Sequence, residues 1–317
     1  MSAHVDPFVR DRLPAREHWP QMHYDAPELR LPDRLNLVEA LFARGCAQGG
    51  ADRPMLRSRG QTLSYAEAAE QVARLQRVLV EDLGLVPGNR VLLRGGNSVA
   101  LALAWLAVVR AGLVAVATMP LLRARELGDI IDKAQPTVAL CDARLLDELE
   151  AARATRPVLH TIVPFNDPAR GDGLEARAAG RAAGLPACAT DADDIAMLAF
   201  TSGTTGRPKA AAHSHRDVMA SCECWPRHVL RATPEDVVVG SPPLAFTFGL
   251  GGLLVFPMWA GASVHFPDAP YTPESLVRTI TEAGATICYT APTFYRQMAP
   301  FARQLGVGRL RCTVSAA

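Results

Sequence analysis

A loop rich in hydroxyls and glycines, Thr201-Ser-Gly-Thr-Thr-Gly-Arg-Pro-Lys209, is the part of this sequence best suited to chemistry. It follows an apolar run, residues 195–200, that predicts a buried strand. Small residues at a strand end let backbone N–H groups approach an anion, and the hydroxyls add hydrogen-bond donors. Lys209 adds a compact positive charge suited to a phosphate. The pattern predicts a phosphate-binding loop, and the alternative is a flexible Ser/Gly/Thr loop at the surface.

Lys209 stands out because lysine is rare in this chain. Of the 33 basic residues only two are lysine, Lys133 and Lys209, and the others are arginine. Lysine keeps an advantage over arginine where a slim point charge must enter a narrow site, so its presence here supports the phosphate interpretation. The loop is not a Walker P-loop, because Gly203 and Gly206 have the wrong spacing and two residues separate Gly206 from the lysine.

The loop resembles the phosphate-binding motif of the acyl-adenylate-forming enzymes, which include acyl- and aryl-CoA ligases, luciferases and peptide-synthetase adenylation domains. The family pattern is Thr-Ser-Gly-Thr-Thr-Gly-x-Pro-Lys-Gly, and only its last glycine is replaced here, by Ala210. The resemblance implies that the hydroxyls and loop amides hold the β- and γ-phosphates of ATP while the lysine reinforces them. The implied phosphate-binding residues are Thr201, Ser202, Gly203, Thr204, Thr205, Gly206 and Lys209.

A second candidate is the acyl segment, Ser241–Leu250, which leaves a predicted strand and enters a predicted helix. Aromatic residues at the carboxyl end of a strand lie where open parallel sheets bind ligands, although they are also ordinary core residues. In the family the corresponding segment lines the acyl pocket, and Tyr289–Tyr295 resembles a second pocket-lining segment. The implied acyl-pocket residues are Phe246, Thr247, Phe248, Gly249, Tyr289, Ala291 and Pro292.

The Phe-x-Phe-Gly-Leu-Gly run at residues 246–251 is most similar to ligases that activate benzoate and aminobenzoate. Residues 11–20 and 117–126 add a similarity to 2-aminobenzoate-CoA ligases. The resemblance implies an AMP-forming acid–thiol ligase of aromatic acid degradation, which joins an aromatic carboxylate to ATP as acyl-AMP and then transfers the acyl group to coenzyme A. Mg²⁺ is implied with ATP, to neutralise the leaving pyrophosphate.

Several parts of the family's active site are missing from the sequence. The Tyr-Gly-x-Thr-Glu motif, the ribose-binding aspartate and the C-terminal lid with its catalytic lysine do not occur before residue 317. We therefore expect an N-terminal fragment without a complete catalytic set, inactive alone. The alternative is a non-catalytic, truncated paralogue that acts as a ligand- or partner-binding module.

Composition limits the other classes of function. The chain has 317 residues, 49% hydrophobic and 21% charged, which is typical of a globular protein. A net charge of +1 favours neither nucleic acid nor an anionic membrane as a partner. Seven cysteines without a Cys-x-x-Cys pair, and an N-terminus unlike a signal peptide, predict reduced thiols, no metal site and a cytoplasmic location. The sequence indicates no oligomeric state.

Alternating helices and apolar strands predict an α/β protein with two adjacent units of mostly parallel sheet flanked by helices. We predict an extended arm (1–34), a first unit (35–166), a connecting loop (167–192) and a second unit with the phosphate loop (193–317). A dinucleotide-binding fold is excluded because the glycines at 249–252 fail the Gly-x-Gly-x-x-Gly spacing. His213 and His215 occupy a place where similar ligases often carry His-x-His, and we predict structural roles for both.

The predicted elements follow from periodicity and from the turn residues between them. Residues 99–122 are apolar enough to suggest a membrane span, but Arg110 and Gly112 divide them into a buried helix and a buried strand. The predicted helices cover 35–44, 64–82, 98–111, 123–134, 215–225, 249–260, 273–283 and 292–304. The predicted strands cover 90–94, 113–119, 137–141, 195–200, 236–240, 262–266, 285–290 and 310–315.

Overall fold

The structure is a computed structural model that describes residues 1–201 and 208–316. The strands in this part of the chain are β1 (Pro54–Ser58), β2 (Gln61–Ser64), β3 (Arg90–Arg94), β4 (Val114–Thr118), β5 (Val138–Asp142), β6 (Thr161–Phe165), β7 (Ile195–Thr201), β8 (Lys209–Ser214), β9 (Val237–Gly240), β10 (Ser263–His265), β11 (Ile287–Tyr289) and β12 (Cys312–Val314).

Helices separate most of these strands. They are α1 (Leu37–Gly49), α2 (Tyr65–Arg77), α3 (Val99–Arg110), α4 (Ala124–Ala134), α5 (Leu146–Arg153), α6 (Leu174–Ala178), α7 (His215–Cys224), α8 (Thr247–Leu250), α9 (Phe256–Ala260), α10 (Pro273–Glu282) and α11 (Pro292–Leu305). Short 3₁₀ turns occur at Arg10–Arg12, Arg16–His18, Pro27–Leu29 and Ala143–Leu145. Wider π-helical turns occur at Val78–Asp82, Trp225–Leu230 and Gly251–Val255.

Two of the π-helical turns lie beside a proline. Pro226 lies inside the turn at Trp225–Leu230, and Pro257 lies two residues after the turn at Gly251–Val255. Proline has no N–H to donate to the carbonyl four residues earlier, and its ring crowds that carbonyl, so the helix widens locally. The helix predicted at 249–260 is therefore a continuous helical path made of α8, a π-helical turn and α9.

The chain forms two compact units, and the first comprises Met1–Ala40, Gln71–Gly95 and Leu103–Glu223. Its sheet has the strand order β6-β5-β3-β4-β7-β8. Every neighbouring pair in it is parallel except β7 with β8, which form an antiparallel hairpin. Apolar side chains of β3, β4 and β5 pack with α4 and α5 in the core, because strands within a parallel sheet present apolar residues to both faces.

The second unit comprises Leu41–Glu70, Gly96–Ala102 and Cys224–Ala317. Its sheet has the order β12-β11-β9-β10-β1-β2. The strands β12 to β1 are parallel neighbours, and β2 pairs antiparallel with β1. One face of its core joins β9 and β11 to α10 and α11, with Val239, Leu276 and Met298 among the buried side chains.

The predicted fold class is confirmed: the protein is α/β, with two mostly parallel sheets accompanied by helices. Four strands were not predicted, namely β1, β2, β6 and β8, and neither were helices α5 and α6, the latter lying within the predicted connecting loop 167–192. The sequence of β8, Lys-Ala-Ala-Ala-His-Ser, has little strand propensity, and pairing with β7 alone holds it at the sheet edge. The four-part domain division drawn from the sequence stays a prediction.

The apolar stretch at residues 99–122 forms a helix and a strand, as predicted. Helix α3 has 12 residues, and β4 follows it in the first unit's sheet. Across the described ranges 1–201 and 208–316, no helix has the length and apolarity that a bilayer crossing requires.

Candidate functional site

Each unit carries one candidate site, and the first lies at the end of the β7–β8 hairpin. Residues 195–199 of β7 are buried, Phe200 is half-buried, and Thr201 is exposed. In the register of the hairpin Thr201 lies opposite Lys209, which is also exposed. The strand pairing thus brings together the two ends of the predicted phosphate loop. Its other predicted members, Ser202, Gly203, Thr204, Thr205 and Gly206, lie outside the described residues.

The position of this hairpin in its sheet suits anion binding. β7 is a parallel neighbour of β4, and β4 is a parallel neighbour of β3. The carboxyl ends of these strands therefore meet at one edge, where open α/β sheets bind ligands, and residue 201 is the last of β7. Lys209 places an ammonium group at that edge.

Arg94, at the carboxyl end of β3, organises the neighbouring loop. It is 1% exposed. Its guanidinium donates hydrogen bonds to four backbone carbonyls, those of Met119, Pro120, Leu122 and Leu145, at 2.9–3.2 Å. Burial lowers the pKa of Arg94 from its usual value. Arg94 was not among the residues predicted from the sequence, although an arginine at the end of an apolar strand is a recognisable signal.

The hairpin continues directly into helix α7 through a reciprocal cap. The backbone N–H of Ser214 donates to the Asp217 carboxylate at 2.8 Å, and the N–H of Asp217 donates to the Ser214 hydroxyl at 3.1 Å. This exchange satisfies donors that a helix start leaves free. The end of β8 is thereby joined firmly to the helix that follows the phosphate loop.

His215 has a structural role, in agreement with the sequence-based prediction. It is fully buried, and its Nδ1 accepts a hydrogen bond from the backbone N–H of Leu37 at 3.1 Å. Burial lowers the pKa of His215 to about 3, so the imidazole is neutral at physiological pH. His213 is half-buried on β8. The described part of the chain contains no group of three or more His, Cys, Asp or Glu side chains able to hold a metal ion.

The second candidate site lies where β9 and β11 end side by side. Gly240 pairs with Tyr289 in the parallel register, and the backbone N–H of Ser241 donates to the Tyr289 carbonyl at 3.0 Å. The chain leaving β9 is the acyl segment, and the chain leaving β11 runs through Ala291 and Pro292 into α11. All seven predicted acyl-pocket residues therefore follow or end two neighbouring strands.

Aromatic rings dominate this strand end. Phe246 is 39% exposed, and Phe248 is half-buried on α8. The rings of Phe248 and Tyr289 contact each other with their centroids 5.5 Å apart and a tilt of 59°, a geometry favoured by the ring quadrupoles. Thr247, Ala291 and Pro292 are exposed at the same strand end. Phe246 and Phe248 therefore give solvent-accessible apolar side chains to this strand end, above the buried Tyr289.

Tyr289 forms the buried base of this cluster. It is 1% exposed, and its hydroxyl accepts a hydrogen bond from the indole Nε1–H of Trp225 at 3.3 Å. Burial raises the pKa of Tyr289, so its phenol stays protonated. A Cβ at Gly252 would lie 2.5 Å from the ring, so only glycine permits this packing. Trp225 was not among the residues predicted from the sequence, because no local pattern links it to a tyrosine 64 residues away.

Gly249 is required for the shape of the acyl segment. An added Cβ there would lie 2.1 Å from the Pro243 carbonyl oxygen, far inside van der Waals contact. The N–H of Phe246 also donates to that carbonyl, at 3.0 Å. The first turn of α8 therefore packs directly on the turn that precedes it, and this contact directs Phe246 and Phe248.

Comparison with known proteins identifies the family of this chain. The AMP-binding enzyme family matches residues 42–317. The chain belongs to the AMP-binding enzymes. Its N-terminal 41 residues precede the matched region.

Relatives of this AMP-binding protein include ligases of aromatic acids. It is 28% identical over 292 residues to a benzoate–CoA ligase of Thauera aromatica, and this match covers 92% of this chain and 55% of the relative. It is 32% identical over 257 residues to a 4-hydroxybenzoate–CoA/benzoate–CoA ligase of Rhodopseudomonas palustris, covering 80% of this chain and 47% of the relative. The chain thus spans about half the length of the curated relatives it matches.

A solved structure supports the same assignment of the fold. An anthranilate CoA ligase in complex with anthranoyl-AMP superimposes with a TM-score of 0.83 and 26% identity. The match covers 92% of this chain and 56% of that ligase. The family and the adenylate-forming fold expected from the phosphate-loop resemblance are confirmed.

Proposed function

We propose that this chain takes part in ATP-dependent activation of an aromatic carboxylate of the benzoate or 2-aminobenzoate type. The supporting observation is the aromatic surface at the ends of β9 and β11, to which Phe246 and Phe248 contribute accessible rings and Tyr289 the buried ring beneath Phe248. A flat aromatic acid gains about 0.5–1.5 kcal/mol on such a surface beyond the area it buries. The family and the benzoate–CoA ligases among its relatives agree with this substrate class.

The proposed reaction has two steps. A carboxylate oxygen of the acid attacks the α-phosphorus of ATP, the bond from that phosphorus to the bridging oxygen breaks, and pyrophosphate leaves. The sulfur of coenzyme A, as thiolate, then attacks the acyl carbonyl, and AMP leaves with its phosphate oxygen. The first step concentrates negative charge on the departing pyrophosphate, so fixed cationic and N–H donors lower its barrier.

We assign the handling of that charge to the phosphate loop. Lys209 and Thr201 end opposite strands of the hairpin, both exposed, so an anion beyond β7 meets an ammonium group and a hydroxyl. We propose that Ser202, Gly203, Thr204, Thr205 and Gly206 add donors between them. Mg²⁺ would arrive bound to ATP, because it is usually held through substrate phosphates together with few protein ligands.

Calorimetric titration of the 317-residue chain tests the substrate class. We expect benzoate and 2-aminobenzoate to bind about two- to tenfold more tightly than cyclohexanecarboxylate, which has the same charge and a ring of similar size but no π-system. Equal affinity for the three acids would show that the aromatic surface does not select the substrate. Binding of an aromatic acid without binding of ATP would instead support the binding-module alternative.

A pyrophosphate-release assay tests the activity of the chain by itself. Since the chain spans about half the length of its relatives, we expect it to bind ligands without sustained formation of acyl-CoA. Steady turnover with an aromatic acid, ATP and coenzyme A would contradict this expectation and would make the 317 residues a working ligase.

A further inference from the structure

Within the acyl segment, residues 242–244 form a turn that backbone–backbone hydrogen bonds alone cannot fix in place. Pro242 and Pro243 follow each other, and neither has an N–H to donate. Ser241 is held by its N–H to the Tyr289 carbonyl and by its hydroxyl to that of Thr290. The two prolines and Leu244 therefore depend on hydrogen bonds from elsewhere in the unit.

Asn97 supplies those bonds. Its side-chain Nδ2 donates to the Pro242 carbonyl at 2.8 Å, and its Oδ1 accepts from the backbone N–H of Leu244, also at 2.8 Å. Both sides of one amide are used, and the bonds span 145 and 147 positions of sequence. Few other side chains can offer a donor and an acceptor in this planar arrangement.

The held turn determines where the aromatic surface begins. The Pro243 carbonyl accepts the N–H of Phe246 and lies against Gly249, where no Cβ fits. Phe248 lies on α8 between Phe246 and Gly249 in sequence, and its ring contacts Tyr289. A shift of the turn would therefore move the start of α8, the exposed ring of Phe246 and the half-buried ring of Phe248.

We propose that Asn97 is a positioning residue for aromatic-acid recognition: its amide fixes the Pro242–Leu244 turn, and the turn fixes Phe246 and Phe248. The inference rests on the proposed function, because it assigns a role within that site. Asn97 acts through the turn, and the aromatic rings make the contact with the ligand. Without the amide the Pro242–Leu244 turn is less ordered in the free protein. Ligand binding must then also order the turn, which weakens the affinity.

The test compares Asn97→Ala and Asn97→Asp with the matched control Asn36→Ala. Asn36 is also half-buried and also uses both sides of its amide on backbone groups, donating to the carbonyls of Arg110 and Cys188, but it belongs to the first unit. The readouts are the dissociation constants for benzoate and for ATP by calorimetry, with urea unfolding of each variant.

We expect Asn97→Ala to weaken benzoate binding about tenfold while ATP binding stays within about twofold of wild type. Asn97→Asp keeps the acceptor for Leu244 and loses the donor to Pro242, so it is expected to bind benzoate with intermediate affinity. Asn36→Ala is expected to lose stability and to leave both affinities unchanged.

Three results would overturn the inference. They are unchanged benzoate binding in Asn97→Ala, an equal loss of benzoate and ATP binding, and failure of both Asn97 variants to fold. Absence of benzoate binding by the wild-type chain is a separate result, because it removes the proposed function and this inference with it.

Discussion

Replacement of Gly252 by alanine tests the packing that supports the aromatic surface. The added Cβ would lie 2.5 Å from Cδ1 and 2.6 Å from Cε1 of Tyr289. The ring has little room to retreat, since it is 1% exposed, its hydroxyl is bonded to Trp225, and Phe248 contacts it. We expect Gly252→Ala to displace the ring and to destabilise the protein.

Two opposing effects determine the size of the change. Alanine is favoured over glycine in a helix by about 0.8–1 kcal/mol, which would stabilise the variant. Overpacking of a filled core costs about 1–3 kcal/mol, and loss of the Trp225–Tyr289 hydrogen bond adds about 0.5–1.5 kcal/mol. The unfavourable terms are larger, so we expect a net loss of about 0.5–3.5 kcal/mol in the free energy of unfolding.

Urea unfolding followed by circular dichroism measures this loss. Gly60→Ala is the matched control, because nothing lies within 4 Å of its added Cβ and its φ is outside the left-handed region. We expect the control to stay within about 0.5 kcal/mol of wild type. If Gly252→Ala were as stable as wild type, the ring would have free space and the reasoning about the base of the cluster would be wrong.

Three further predictions concern the first unit. Lys209→Ala should weaken ATP binding about tenfold to a hundredfold by calorimetry, and Lys133→Ala, which removes the other lysine, should leave it unchanged. Burial lowers the pKa of His215 to about 3. Between about pH 6.5 and pH 3 the histidine is therefore protonated in the unfolded chain and neutral in the folded chain, so the free energy of unfolding should fall as pH falls through that window. His215→Asn should flatten this dependence in urea unfolding at stepped pH, and an unaltered slope would assign the effect to other groups. Arg94→Met removes the donors to four carbonyls and should lower the free energy of unfolding by about 3 kcal/mol or more, whereas exposed Arg125→Met should change it by less than about 0.5 kcal/mol.

Local patterns in the sequence were sufficient for most elements. The strand at 90–94 was predicted with its observed bounds, because an apolar run follows a Pro-Gly-Asn turn. Helix α10 begins after Thr272, whose hydroxyl accepts the N–H of Ser275, and Pro273 suits its first turn. These signals act over a few neighbouring residues, so the sequence carries them regardless of the fold around them.

Strand pairing depended on residues too distant for any local pattern to reveal. β1 was not predicted, yet Leu56 pairs with Val264 on β10, far along the chain. β8 is a strand because β7 pairs with it, although its three alanines favour no strand. Partner choice between strands is made by packing and register in the folded sheet, which periodicity along the chain does not encode.

The candidate sites divide in the same way. The sequence by itself predicted a phosphate loop from Thr201 to Lys209 and an aromatic acyl segment, because the residue types and their order carry that information. The tertiary structure alone decided the supports: Asn97 on the acyl segment, Trp225 on Tyr289, and Arg94 on its four carbonyls. Each support joins groups distant in sequence, and only the folded chain brings a donor within 3.3 Å of its acceptor.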